Sequence, residues 1–150
     1  MNAAPRIYET AADRAREESI AARVAAAWGC DRQIKCEFSQ MDRELWRGEA
    51  MVARIEIKVR SLFRESRAFY SISAAKISVA VALWEWSGVR SFLVVQFRDG
   101  LFFVPVTRLL MAWVKVGGRR DRGDARDTEP CAVFPVAWFR PVEGVEHGRG

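Results

Sequence analysis

A chain of 150 residues, 50% hydrophobic and 11% aromatic, is long enough for one folded domain with a real core, which argues against intrinsic disorder. The formal net charge of +5 suits a polyanionic partner, because phosphate contacts drive sequence-independent nucleic-acid binding. One histidine, His147, and three cysteines without paired short spacing, Cys30, Cys36 and Cys131, argue against a zinc site and read as reduced thiols of a cytoplasmic protein. No apolar run reads as a membrane span or a secretory signal.

In chain order, Thr10 is placed to cap a helix running to about Trp28, with Gly29 as its stop. Ile20, Val24, Ala27 and Trp28 form its apolar stripe, and Glu17 falls on the same stripe by helical spacing. An acid there is either a boundary residue with its carboxylate in water or a group pointing into a site at the sheet edge. Gln33 to Ser39 alternates as a first strand, and Gly48 marks a turn. Met51 to Arg60 follows as a further strand of the meander. Its period of two puts Ile55, Ile57 and Val59 on one face and Glu56 and Lys58 on the other. Arg60 to Arg67 reads as a basic loop.

Ser71 to Trp86 is expected as a second helix, with Ile72, Val79, Leu83 and Trp86 along one face, Lys76 within it, and Gly88 as its end. Phe92 to Phe97 reads as a strand buried on both faces. Asp99-Gly100 marks a hairpin to Leu101–Val106. Thr107 is placed to cap a short helix from Arg108 to Val116. Residues 117–130 read as a charged flexible loop, Cys131 to Val136 as a late strand, and residues 142–150 as a polar tail. One domain of the α/β or α+β class follows, a sheet flanked by helices.

The chemistry concentrates at Glu56 and Lys58, with Asp42 at hairpin distance upstream. Mg²⁺ (or Mn²⁺) takes one or two carboxylates plus waters and substrate phosphate. Asp42 and Glu56 supply the carboxylates and the Ile57 backbone carbonyl a further oxygen. Lys58 is a point charge suited to hold the attacking water or the developing negative charge. Against this stand plainer readings. Glu56 and Lys58 also read as a charge ladder on an exposed edge strand, Asp42 as a turn residue, and Lys76 as a snorkelling lysine.

This layout resembles the PD-(D/E)xK nuclease superfamily. Its pattern is an acid near the start of one strand, Glu-x-Lys on the next, and a glutamate on the preceding helix. The matching positions are Asp42, Glu56 with Lys58, and Glu17, over roughly residues 8–106. Phe69 to Lys76 looks like the second-helix motif of some members, which makes Lys76 a site residue and Ser73 a weaker candidate. Met41 stands where many members have proline, and the adjacent Glu17 and Glu18 make the helix acid ambiguous, face geometry favouring Glu17.

The resemblance implies a restriction-endonuclease-like or Holliday-junction-resolvase-like mixed sheet. It further implies a magnesium- or manganese-dependent endonuclease hydrolysing phosphodiester bonds in DNA, with Asp42, Glu56 and Ile57 at the metal and Lys58, Glu17 and Lys76 around it. Repair, restriction, mobile-element and phage settings are all compatible with it. The alternative is a nuclease-like fold without activity, binding nucleic acid or protein. Six tryptophans and the apolar segment 132–139 make a homodimer a further candidate.

Overall fold

The computed structural model describes residues 10–35, 41–118 and 128–143. Helix α1 (Ala11–Ala27) opens with a capping box: the Thr10 side chain accepts from the Asp13 N–H, and the Asp13 carboxylate accepts from the Thr10 N–H. Three strands follow, β1 (Arg32–Lys35), β2 (Arg43–Arg47) and β3 (Ala50–Val59). Then come β4 (Phe69–Ser73), α2 (Ala74–Ser87), the hairpin β5 (Ser91–Phe97) and β6 (Gly100–Pro105), and finally β7 (Val114–Gly118), β8 (Thr128–Pro135) and β9 (Arg140–Pro141). No helix among the described residues is long and apolar enough to cross a membrane.

The described strands form a six-stranded sheet in the order β1-β2-β3-β5-β6-β9 and a three-stranded sheet in the order β4-β8-β7. In the larger sheet β3 and β5 pair in parallel and the other neighbours antiparallel. That mixed sheet with helices is the expected α+β architecture. The parallel step requires a crossover, supplied by β4 and α2.

Alternation along β3 and β5 divides the core in two. Ala53, Ile55 and Ile57 of β3 and Val94 of β5 pack with Ile20, Ala21, Val24 and Ala25 of α1. Leu93, Val95 and Phe97 of β5 face the other way, onto Ile77, Ala80 and Val81 of α2 and Ala132 and Phe134 of β8. The buried Ser91 hydroxyl ties β5 to α2 by donating to the Ala80 carbonyl at 2.7 Å. Gly88 ends α2 in the left-handed conformation (φ +75°), its N–H bonding the Trp84 carbonyl.

Several expectations need correcting. The second helix starts at Ala74 rather than Ser71; the preceding segment is β4, whose Tyr70 and Ile72 are buried by alternation. The helix buries Ile77, Ala80 and Val81, while Trp86 is 81% exposed. Apolar residues occur nearly all round this helix, so spacing alone does not select the buried face. The short helix is a 3-10 turn at Arg108–Met111, and the alternating Val114–Gly118 forms β7. Gly117 and Gly118, and Thr128 to Pro130, belong to strands rather than to a loop. Val142 is buried and donates to the Leu101 carbonyl, so the core extends into the segment read as a polar tail. Residues 36–39 of the expected first strand, the Arg119–Asp127 part of the loop and residues 144–150 lie outside the described residues.

Phe134 is fully buried and meets Tyr70, Trp138 and Phe139. Phe134→Ala is expected to destabilise the protein by about 3–5 kcal/mol in urea titration. A loss under about 1 kcal/mol would mean that the smaller sheet is not part of the cooperative core.

Candidate active site

The parity that buries Ile55 and Ile57 against α1 turns Glu56 and Lys58 to the α2 side of the sheet. Because β3 lies between β2 and β5, Glu56 sits in the interior of the sheet and is 4% exposed. The edge-strand ladder is thereby overturned. Its Oε1 lies 3.6 Å from Lys58 Nζ and 3.5 Å from Lys76 Nζ of α2. Its Oε2 is buried without a hydrogen-bond partner. Burial, reinforced by repulsion from Asp42, pushes the Glu56 carboxyl up to about 7, even though Lys76 and Lys58 pull it down.

Asp42 stands one residue before β2. Its own N–H donates to the Ile55 carbonyl at 3.0 Å, and its Oδ2 accepts from the Ile57 N–H at 2.7 Å. That carboxylate bond falls where β2 has stopped supplying backbone acceptors to β3. A strand residue's N–H and C=O project to the same side, so the Ile57 carbonyl also faces this gap. The turn-residue reading of Asp42 gives way to a carboxylate held at a strand end beside Glu56.

Helix α1 reaches the same gap from the other face. Glu17 is half-buried and its Oε1 lies 3.3 Å from Nη1 of Arg43, which is itself buried. Glu18 is exposed. An open pocket of about 380 Å³ joins Glu17, Asp42, Glu56, Ile57, Lys58 and Lys76. The structure thus brings every expected site residue to one place. Ser73, the weaker candidate, instead bonds Glu129 at 3.0 Å. Sequence reasoning did not assign Asp13 or Arg16 to the site, although both line the pocket; Asp13 shares the face of Glu17 by its spacing of four residues, whereas Arg16, one residue away, is turned off that face. It also missed Arg43, whose signal was its shared parity with buried Leu45 in β2.

A family model described as "Phage putative PDDEXK endonuclease" matches residues 3–142. The chain belongs to this phage endonuclease family. Among solved structures it is similar to Archaeoglobus fulgidus Hjc, a Holliday junction resolvase from an archaeal hyperthermophile solved at 1.6 Å. The TM-score is 0.55 at 15% identity, covering 83% of this chain and 87% of that one, a likeness of fold. No curated protein matches.

The divalent cation implied by the PD-(D/E)xK fold can be tested against these donors. Among the described residues no three His, Cys, Asp or Glu side chains form a ready metal cluster. The unpartnered Glu56 Oε2, the neighbouring Asp42 carboxylate and the Ile57 carbonyl form a smaller oxygen set. That set fits Mg²⁺, which keeps several waters and needs only one or two carboxylates.

The raised Glu56 carboxyl has a signed consequence for stability in metal-free buffer. Between its ordinary value of 4.5 and about 7 the folded state holds a proton that the unfolded chain has released. Stability therefore falls as pH rises through that window. Wild type is expected to lose on the order of 3 kcal/mol relative to Glu56→Gln between pH 4.5 and pH 8, read from urea titrations. A difference that stays flat with pH would contradict the buried, repelled carboxylate.

Proposed function

We propose that this phage-family protein is a Mg²⁺- or Mn²⁺-dependent endonuclease that hydrolyses phosphodiester bonds in DNA. The observation carrying this reading is the Glu56 carboxylate, buried on an interior strand beside Asp42, with one oxygen shared by two ammonium groups and the other unpartnered. Asp42 and Glu56, with the Ile57 carbonyl, would hold the cation. A bound cation polarises the phosphate and acidifies a coordinated water.

The chain's own groups account for the remaining roles. Lys58 is 30% exposed at its side chain and lines the pocket, so its ammonium reaches both Glu56 and a bound phosphate. There it orients the attacking water and offsets negative charge developing on phosphorus. Lys76, more exposed at 42%, adds a second positive charge on the α2 side. Glu17, tethered by Arg43, orients groups at the α1 wall. Together these supply positioning and charge stabilisation, the main contributions a protein makes to phosphoryl chemistry.

The second reading is a nuclease-like fold that binds DNA without cutting it, because a fold does not by itself guarantee its chemistry. Incubation with plasmid, linear, single-stranded and branched DNA in Mg²⁺ or Mn²⁺ separates the two. Cleavage by the wild type is expected to drop by about 10²–10³-fold in Glu56→Gln and in Lys58→Ala. Cleavage that survives both changes would sink the site assignment, and binding without cleavage of any substrate would favour the second reading.

A further inference from the structure

Beyond the carboxylates, a second pocket of about 160 Å³ lies under the loop that follows β3. Arg60, Phe63, Arg64, Arg67, Phe69 and Tyr70 line it, and no acidic residue does. Two of its polar groups are buried without a partner, the Tyr70 hydroxyl and Arg64 Nε. Tyr70 is 5% exposed. Unpartnered buried donors in a native fold call for an explanation. Both are donors here: burial pushes the Tyr70 phenol up to about 12, so it stays protonated. The other nitrogens of Arg64 are engaged, Nη1 with the Val136 carbonyl and Nη2 with Glu65. Arg67 makes no ion pair among the described residues.

The apolar side of the pocket is partly open, although Phe69 meets Trp113 edge-on. Phe63 is 52% exposed and Phe69 45%. The Arg98 guanidinium lies 5.2 Å from the Phe63 ring centre and that of Arg60 lies 5.3 Å from the Tyr70 ring centre. The exposed Phe63 and Phe69 rings, set among the Arg60, Arg67 and Arg98 guanidinium groups, fit a ligand that is itself flat, apolar and anionic. A nucleotide has those features, its base stacking on an aromatic ring and its phosphate accepting from arginine.

The pocket also neighbours the carboxylate site. An intermediate depression of about 530 Å³ shares Asp13, Arg16 and Val59 with the site pocket, and Arg60 and Phe97 with this one. Arg98 adds a further positive charge along it.

We infer that the Phe63–Arg67–Tyr70 pocket is a subsite for one unpaired nucleotide of the DNA substrate, so that the enzyme selects duplexes carrying an unpaired arm next to the scissile phosphate. This rests on the reading of the protein as a DNA nuclease. A base inside a duplex enters such a pocket only at the cost of unstacking and unpairing, whereas an arm or displaced nucleotide enters without an unpairing cost.

Fluorescence anisotropy with labelled DNA, in EDTA at fixed salt, tests this without relying on catalysis. Wild type is expected to bind an arm-bearing duplex about tenfold or more tighter than the same duplex with blunt ends. Phe63→Ala should abolish that preference while leaving blunt-duplex affinity in place, and Phe63→Trp should retain it. Arg67→Ala should weaken binding of the arm-bearing duplex and lower its salt slope by about one. Equal wild-type affinity for both duplexes, with Mg²⁺-dependent cleavage intact, would overturn the subsite alone, as would a Phe63→Ala loss equal on both. Failure to bind either duplex would overturn the subsite together with the nuclease reading.

Discussion

The structure turns on one costly placement, a glutamate in the interior of a sheet. Glu56 follows Ile55 and precedes Ile57, and the packing of those two against α1 leaves it no other orientation. Water is withdrawn from it, a second carboxylate stands nearby, and one of its oxygens has no partner. Burial of a charged group is unfavourable unless it is compensated. Here Lys58 and Lys76 compensate one oxygen only. A hydrophobic residue at this position would fold more comfortably, and strained or under-satisfied groups of this kind gather where function requires them.

The rest of the fold holds that placement rigid. The parallel pairing of β3 with β5 places Glu56 beside Leu93, a fully buried residue. The crossover through α2 delivers Lys76 to the same carboxylate. The end of β2 supplies Asp42 at the point where the Ile57 N–H would otherwise lack an acceptor. On the opposite face the Arg43–Glu17 pair fastens α1 to the start of β2, next to Asp42. A buried charge pair of this kind is weak evidence for stability but fixes geometry. Apart from Asp42, which is held by its bond from the Ile57 N–H, each site residue comes from a regular element whose core packing sets its position, and such sites are more precise than loop-borne ones.

Much of this was legible in the sequence, for identifiable reasons. The alternation through Ile55, Glu56, Ile57 and Lys58 fixed both the strand and the face, because period two admits a single assignment. Thr10 and Gly29 bracketed α1 correctly through capping chemistry. The misses arose where signals overlap. Phe69 to Ser73 runs directly into a helix and shares its apolar spacing, so β4 was absorbed into α2. Trp113 to Val116 follows a capped turn, and its short β-branched alternation is indistinguishable by local pattern from the end of a helix. Burial of Glu56 also depended on β5 arriving in parallel beside β3, a long-range pairing that no local pattern encodes. The same is true of Arg43, whose partner lies across the layer in α1.

The most direct measurement of the central claim, that the unpartnered Glu56 oxygen and Asp42 form a cation site, is a calorimetric Mn²⁺ titration. Run near pH 6.5 in buffers of different ionisation enthalpy, it should show one ion bound per chain. A fraction of a proton should be released on binding, since a cation favours the ionised Glu56 carboxylate. Glu56→Gln should lose both the binding and the proton release. The absence of any Mn²⁺ binding at millimolar metal, with or without DNA, would contradict the claim.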